Sequence, residues 1–305
     1  MYIEKVTKIM VQRFLFIVCI ALLVSYEIGF NSLFIILLLL PLTVQDKDID
    51  RIRGTSRQEW FTNTFVLLVI VIMGIISTFL FQANDALHAW AQKQPFYIDA
   101  NAFMASIPYN DGSIFWLRDL SSSDPLYDVY VIGFIAVYLL YAVYAYVTAN
   151  RETLVRLLFI NWLVHAVIAL PFYLFFNVHE VWSTIGYDWG HIPYTVKNCF
   201  PSLHTSVAFS CMLLALRENK RFAAFWGLYS ALIIFTTLYL RIHWVLDVAG
   251  GLVLGWILYW IANAFAPMIL ARLAVRDAVR VSGRVLPHSL PVTAAKREVI
   301  QRLNR

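Results

Sequence analysis

The chain has 305 residues, of which 60% are hydrophobic and 14% charged, with a net charge of +5. Soluble domains carry about 25% charge, so composition excludes an ordinary soluble globule and puts a membrane protein first. The basic residues gather in short loops and in the tail. That distribution points to orientation in a bilayer rather than to nucleic acid, and no nucleic-acid partner is expected. Three scattered cysteines, Cys19, Cys199 and Cys211, give neither a disulfide framework nor a zinc signature.

A spanning helix needs roughly 20 mostly apolar residues. In chain order the predicted spans are 11–28, 31–45, 61–82, 129–148, 158–176, 201–216, 224–240 and 244–267. The expected fold is therefore an all-α, polytopic membrane helix bundle of about eight spans. Its parts are an N-terminal transmembrane hairpin (1–45), a six-helix core (60–267) with a long outer loop (83–128), and a basic tail (268–305). The first apolar run lacks a small-x-small cleavage site, so it reads as an anchor, not a signal peptide.

With the N-terminus inside, the inner segments hold 20 Lys and Arg and the outer segments four: Lys93, Arg118, Lys197 and Arg241. Without the eight tail residues the split is still 12 to 4. Both termini are thus expected in the cytoplasm, most simply at a plasma or inner membrane. The outer face then carries 83–128, 177–200 and the turn at 241–243. The first of these, long and acidic, reads as a lid, a docking surface or a small folded cap. Arginines at 272, 276, 280 and 284 form an i, i+4 stripe, expected as a basic helix on the inner leaflet.

Five of the seven histidines (88, 179, 191, 204 and 243) fall on the expected outer side. His204 lies in the first turn of "PSLHTSVAFSCMLLAL" and His243 opens "HWVLDVAGGLVLGW". Asp247 follows four residues on, which in a helix is the same face. A carboxylate that holds one ring nitrogen leaves the other free as nucleophile or base. A second histidine on a neighbouring helix end can serve as the acid. Helix N-termini favour phosphate, and Pro201 suits a first helical position. Ser202 and Thr205 add hydroxyls, and Lys197 and Arg241 could supply positive charge. The bland reading, a capping aspartate and interfacial histidines, is weakened because a carboxylate just inside a span is costly and usually functional. Gly251 and Gly255 form a small-xxx-small pattern, expected to pack closely on a neighbouring helix. His165, four after Asn161, is expected to pair within the bundle.

"FPSLHTS", followed about forty residues later by "YLRIHWVLDVAGG", resembles the type 2 phosphatidic acid phosphatase superfamily. The form is nearest to its inositol-phosphorylceramide-synthase-like branch. The resemblance covers roughly 60–267. It implies that His243 attacks phosphorus and carries a phosphohistidine, that Asp247 orients it, and that His204 protonates the leaving group. It further implies that Ser202 and local amides hold phosphate oxygens, and that no metal or other cofactor is needed. The chain departs from the family in two ways: it has no Arg-Pro dipeptide, and Thr236 and Thr237 stand where a Ser-Arg pair is usual. Lys197 and Arg241 are the candidate substitutes; Arg241 could equally anchor at lipid headgroups. Asn177, His179 and Glu180 lie where the first family motif should fall, or are ordinary loop polarity.

The expected activity is a lipid phosphatase or phosphotransferase at the extracytoplasmic face, leaning to inositol-phosphotransferase-like chemistry. Its partners would be a lipid phosphate or phospholipid and an alcohol acceptor. The alternatives are a simple lipid-phosphate phosphatase, a metallohydrolase using the same His and Asp, and a transporter or lipid-flipping bundle.

Overall fold

A computed structural model describes residues 40–82, 84–116, 125–186 and 198–285. The N-terminal hairpin up to residue 39, Lys197, His191 and the tail beyond Val285 lie outside the described residues. The described chain is an all-α membrane bundle with two short strands. Its helices are α1 (Asp46–Gly54), α2 (Arg57–Gln82), α3 (Asn84–Ala91), α4 (Asn101–Ser106), α5 (Pro125–Val147), α6 (Arg151–Ile160), α7 (Trp162–Phe175), α8 (Val181–Thr184), α9 (Leu203–Ala215), α10 (Lys220–Tyr239) and α11 (Val245–Val285).

Four stretches are long and apolar enough to cross a membrane: Arg57–Ile76, Leu126–Val147, Lys220–Tyr239 and Val245–Asp277. Their outward faces stay apolar, with Leu68, Ile72, Val253, Trp256 and Trp260 all exposed, as lipid contact requires. Inside, Tyr141, Phe222 and Trp226 are fully buried and packed ring against ring. In lipid such interfaces are held by close packing more than by escape from water.

Three spans differ from expectation: of the one predicted at 31–45, the described residues form a 3-10 turn (Leu40–Thr43) and then extended chain at Gln45. The one predicted at 158–176 begins earlier, at Arg151, and breaks at Asn161 into α6 and α7. Asn161 is extended there (ψ 151°), and its side-chain amide donates to the Ile70 carbonyl and to Tyr138 Oη. An asparagine that serves neighbouring helices in this way competes with its own helix ladder. His165 is buried one turn on, with Nδ1 3.3 Å from the Asn161 carbonyl, paired within the bundle as expected. The span predicted to end at 267 runs unbroken through Pro267 to Val285, so the tail starts as a continuation of α11 rather than as a separate surface helix. Asp277 explains the docking: it accepts from Arg151 at 2.8 Å and from Thr62 Oγ1 at 2.9 Å.

α9 packs between α10 and α11. At 13 residues it is about 20 Å long, shorter than the two helices that flank it. Its contact with α11 is made by glycine. A Cβ on Gly251 would lie 2.6 Å from the Ser202 carbonyl oxygen, and one on Gly255 would lie 2.7 Å from that of Ser206. The small-xxx-small expectation holds, and the two helices touch backbone to backbone.

The loop 83–128 is a folded cap where it is described. It contains α3, α4 and strand β1 (Ile98–Asp99), which pairs in parallel with β2 (Phe176–Asn177) in the register Ile98↔Phe176 and Asp99↔Asn177. Ala100 and Met104 of the cap pack with Val178, Val181, Cys199 and Trp244.

Candidate active site

The α9 N-terminus is built by Ser202. Its Oγ accepts the Thr205 N–H at 3.3 Å, and its own N–H donates to the Asp247 backbone carbonyl at 3.1 Å. Ser202 is therefore the N-cap, and Pro201 precedes it instead of occupying the first helical position as expected, because a serine hydroxyl can satisfy an orphan amide and a proline ring cannot. The cap leaves His204 in the first turn. Its ring lies against Tyr130 (centroids 4.0 Å, planes 12° apart) and Phe134 (4.1 Å, 28°), one turn apart on α5. Those stacks fix the ring plane at the edge of the bundle.

His243 stands at the turn from α10 into α11. Its backbone N–H, like that of Ile242, donates to the Thr237 carbonyl. The ring is buried, with Nδ1 3.5 Å from Asp247 Oδ2. That oxygen also accepts the Trp244 N–H and the Cys199 thiol, each at 3.0 Å. Asp247 is fully buried, so the carboxylate is held by fixed donors rather than by water. The His204 and His243 rings are 6.0 Å apart, centroid to centroid. His204 at the start of α9 thus meets His243 and Asp247 at the start of α11.

Sequence reasoning missed Cys199 and Asn110. Cys199 was legible only by its place in "NCFPSLH", four before Leu203; burial pushes its thiol well above the usual range. Asn110 had no sequence signal, lying 135 residues from Val245. Its carbonyl accepts the Val245 N–H at 2.7 Å, and its side-chain oxygen accepts the Leu246 N–H at 2.9 Å. The cap thereby satisfies the first-turn amides of α11, which were expected to face a phosphate. For those two amides that expectation is corrected. Asn110→Ala should lower stability by about 0.5–2 kcal/mol, the usual cost of losing a helix cap, and lower turnover by loosening His243. Thermal unfolding in detergent and a rate assay check this; an unchanged midpoint would count against it.

The remaining candidates are spread around the cap. Arg241 takes a left-handed backbone (φ 58°) and buries its guanidinium 4.5 Å from the Trp116 ring centroid. A buried cation over an aromatic face is not an exposed headgroup anchor, so that alternative is corrected. Asn177 is strand β2 and its carbonyl accepts the Ala100 N–H. The Asn101 amide, chiefly, holds the nearby Asp99 carboxyl below its usual range, with smaller help from Asn177 and His179. The His179 carbonyl accepts from Trp244 Nε1 at 2.8 Å, which ties that loop to the residue after His243. Glu180 is buried and accepts from Trp182 Nε1. Thr236 and Thr237 are fully buried, and their hydroxyls donate back to Ile233 and Ile234. Their carbonyls accept the Leu240, Ile242 and His243 N–H groups, which close α10 and turn the chain towards α11.

The bundle thus brings a histidine pair and a buried carboxylate to one end of two adjoining helices. A family model, the PAP2 superfamily, matches residues 176–271, which run from β2 through both histidines into α11. The match supports phosphatase- or phosphotransferase-type activity on lipid phosphates. No curated protein and no solved structure gives a significant match.

Proposed function

We propose that the chain is an integral membrane enzyme that takes the phosphoryl or phosphodiester group of a phosphorylated lipid onto His243 at the extracytoplasmic face. The observation that carries this reading is the meeting of His204 and His243, 6.0 Å apart between ring centroids, with Asp247 behind the second ring. Asp247 faces Nδ1, which leaves Nε2 as the nucleophile. Nε2 forms a bond to phosphorus as the bond from phosphorus to the lipid oxygen breaks, and His204 gives that oxygen a proton. His204 then takes a proton from water or an alcohol, whose oxygen bonds to phosphorus as the P–N bond breaks. Water makes the enzyme a phosphatase; an alcohol makes it a phosphotransferase. Leu203 in the first motif and the two absent arginines lean the reading towards an inositol-type acceptor. The 12-to-4 excess of inner basic residues supports an outer site and cytoplasmic termini.

The test is purified protein with a panel of lipid phosphates and phospholipids, with and without inositol and other alcohols. Phosphate release marks the phosphatase, a new phosphodiester marks the transferase, and neither product from any substrate would end the reading.

One observation favours a second reading. Cys199, His243 and Asp247 offer three ligand atoms within 4.8 Å of one another, a set a metallohydrolase could use. Activity that survives EDTA supports the phosphohistidine route. Activity lost to EDTA and restored by zinc supports the metal.

A further inference from the structure

The other end of α9 carries a second polar site. A cavity of about 380 Å³ opens there, lined by Lys47, Arg51, Arg156 and Arg217 and by Glu152 and Glu218. It is separated from His204 by the length of α9, about 20 Å. Four cations face two carboxylates, an excess of two positive charges.

The arrangement of the two inner arginines is specific. Arg156 is buried on α6 and Arg217 is half-exposed just past α9. Asn263 of α11 accepts from both, from Arg156 Nε at 3.0 Å and from Arg217 at 3.1 Å. Two guanidiniums are thus held side by side by a neutral amide, although like charges repel. The carboxylate that lies between them is Glu152, whose Oε1 is 2.5 Å from Arg156 and 4.0 Å from Arg217. Glu152 is more than half exposed, so it can swing out and be replaced by a stronger anion. Glu218 does not compete: Asn150 and Thr153 donate to it, and burial, chiefly, raises its carboxyl above the usual range. Arg51 sits 3.5 Å from Asp48 through one terminal nitrogen and donates to the Thr148 carbonyl at 3.4 Å through the other.

We infer that this cavity binds a phosphate-bearing anion, taken from a lipid headgroup or from a soluble phosphorylated compound. Paired guanidiniums match the oxygens of phosphate by forked hydrogen bonds, and basic pockets between helix ends at the cytoplasmic side are suited to anionic headgroups. The inference is independent of the chemistry at His243, because its readout is the change in binding caused by variants that line this cavity and lie a helix length from that site.

The full chain in zwitterionic nanodiscs is titrated with inorganic phosphate, read as a thermal shift. In parallel, the chain in neutral detergent is titrated with phosphatidylglycerol, read by native mass spectrometry. Arg217→Gln and Arg51→Gln should each weaken binding about tenfold, while Arg53→Gln, on a cation outside the cavity, should not. Both arginines are partly exposed, so the variants should fold; an unchanged unfolding temperature without ligand confirms it. A loss seen with phosphate assigns a soluble ligand, and one seen with phosphatidylglycerol assigns a headgroup. No loss with either probe, or an equal loss in Arg53→Gln, overturns the inference.

Discussion

The His243→Ala protein should release no phosphate from any lipid that the wild type hydrolyses, with a fall in rate of at least about 10⁴. That size follows from the geometry, because no other ring at the site has its Nδ1 backed by a buried carboxylate among the described residues, and a lost nucleophile leaves only binding and electrostatics. The neighbouring variants separate the roles. His204→Ala should lose about 10²–10⁴ on a lipid substrate, the usual worth of a general acid. It should lose far less on p-nitrophenyl phosphate, whose leaving group needs no proton. Asp247→Asn should also fall steeply, since an amide at Oδ2 would confront the donors of Trp244 and Cys199. The decisive measurement is transfer of a radiolabelled phosphoryl group to protein, present in wild type and absent in His243→Ala. Full turnover by His243→Ala would remove the assignment.

Gly251→Ala is the second large effect. One methyl group would sit 2.6 Å from the Ser202 carbonyl and 2.8 Å from Thr205 Cβ, so α9 and α11 would have to part. Overpacking of this kind costs about 1–3 kcal/mol. The chemistry should suffer more. Ser202 also bonds the Asp247 carbonyl, so the displaced element is the one that sets His204 against His243. A misplacement near 1 Å can cost about 10² in rate. Gly74→Ala is the control: nothing lies within 4 Å of that Cβ, and alanine in a helix interior should be neutral or stabilising by about 0.5–1 kcal/mol. Equal stability and activity in the two variants would show that close approach of α9 to α11 does not set the site.

Much of the bundle was legible in the sequence because lipid imposes a simple rule: a long apolar run becomes a helix. The rule failed where polar side chains do structural work inside the bundle. Asn161 breaks a predicted span by serving Ile70 and Tyr138 on other helices. Arg151 and Asp277, which hydropathy assigns to loop and tail, meet at 2.8 Å and hold helical ends together. Hydropathy counts such residues as interruptions and cannot see their partners.

The sequence by itself determined the membrane class, which rests on composition and apolar run length, and the helical register of His243 and Asp247 and the glycines that let α11 approach α9, which rest on spacing within one helix. Only the tertiary structure decided that His204 stacks on Tyr130 and Phe134, that Cys199 shares the Asp247 oxygen, and that Asn110 caps the helix of His243. Those contacts join residues from 48 to 136 positions apart. No local periodicity encodes them; they exist only once packing has chosen which helix ends share one edge of the bundle.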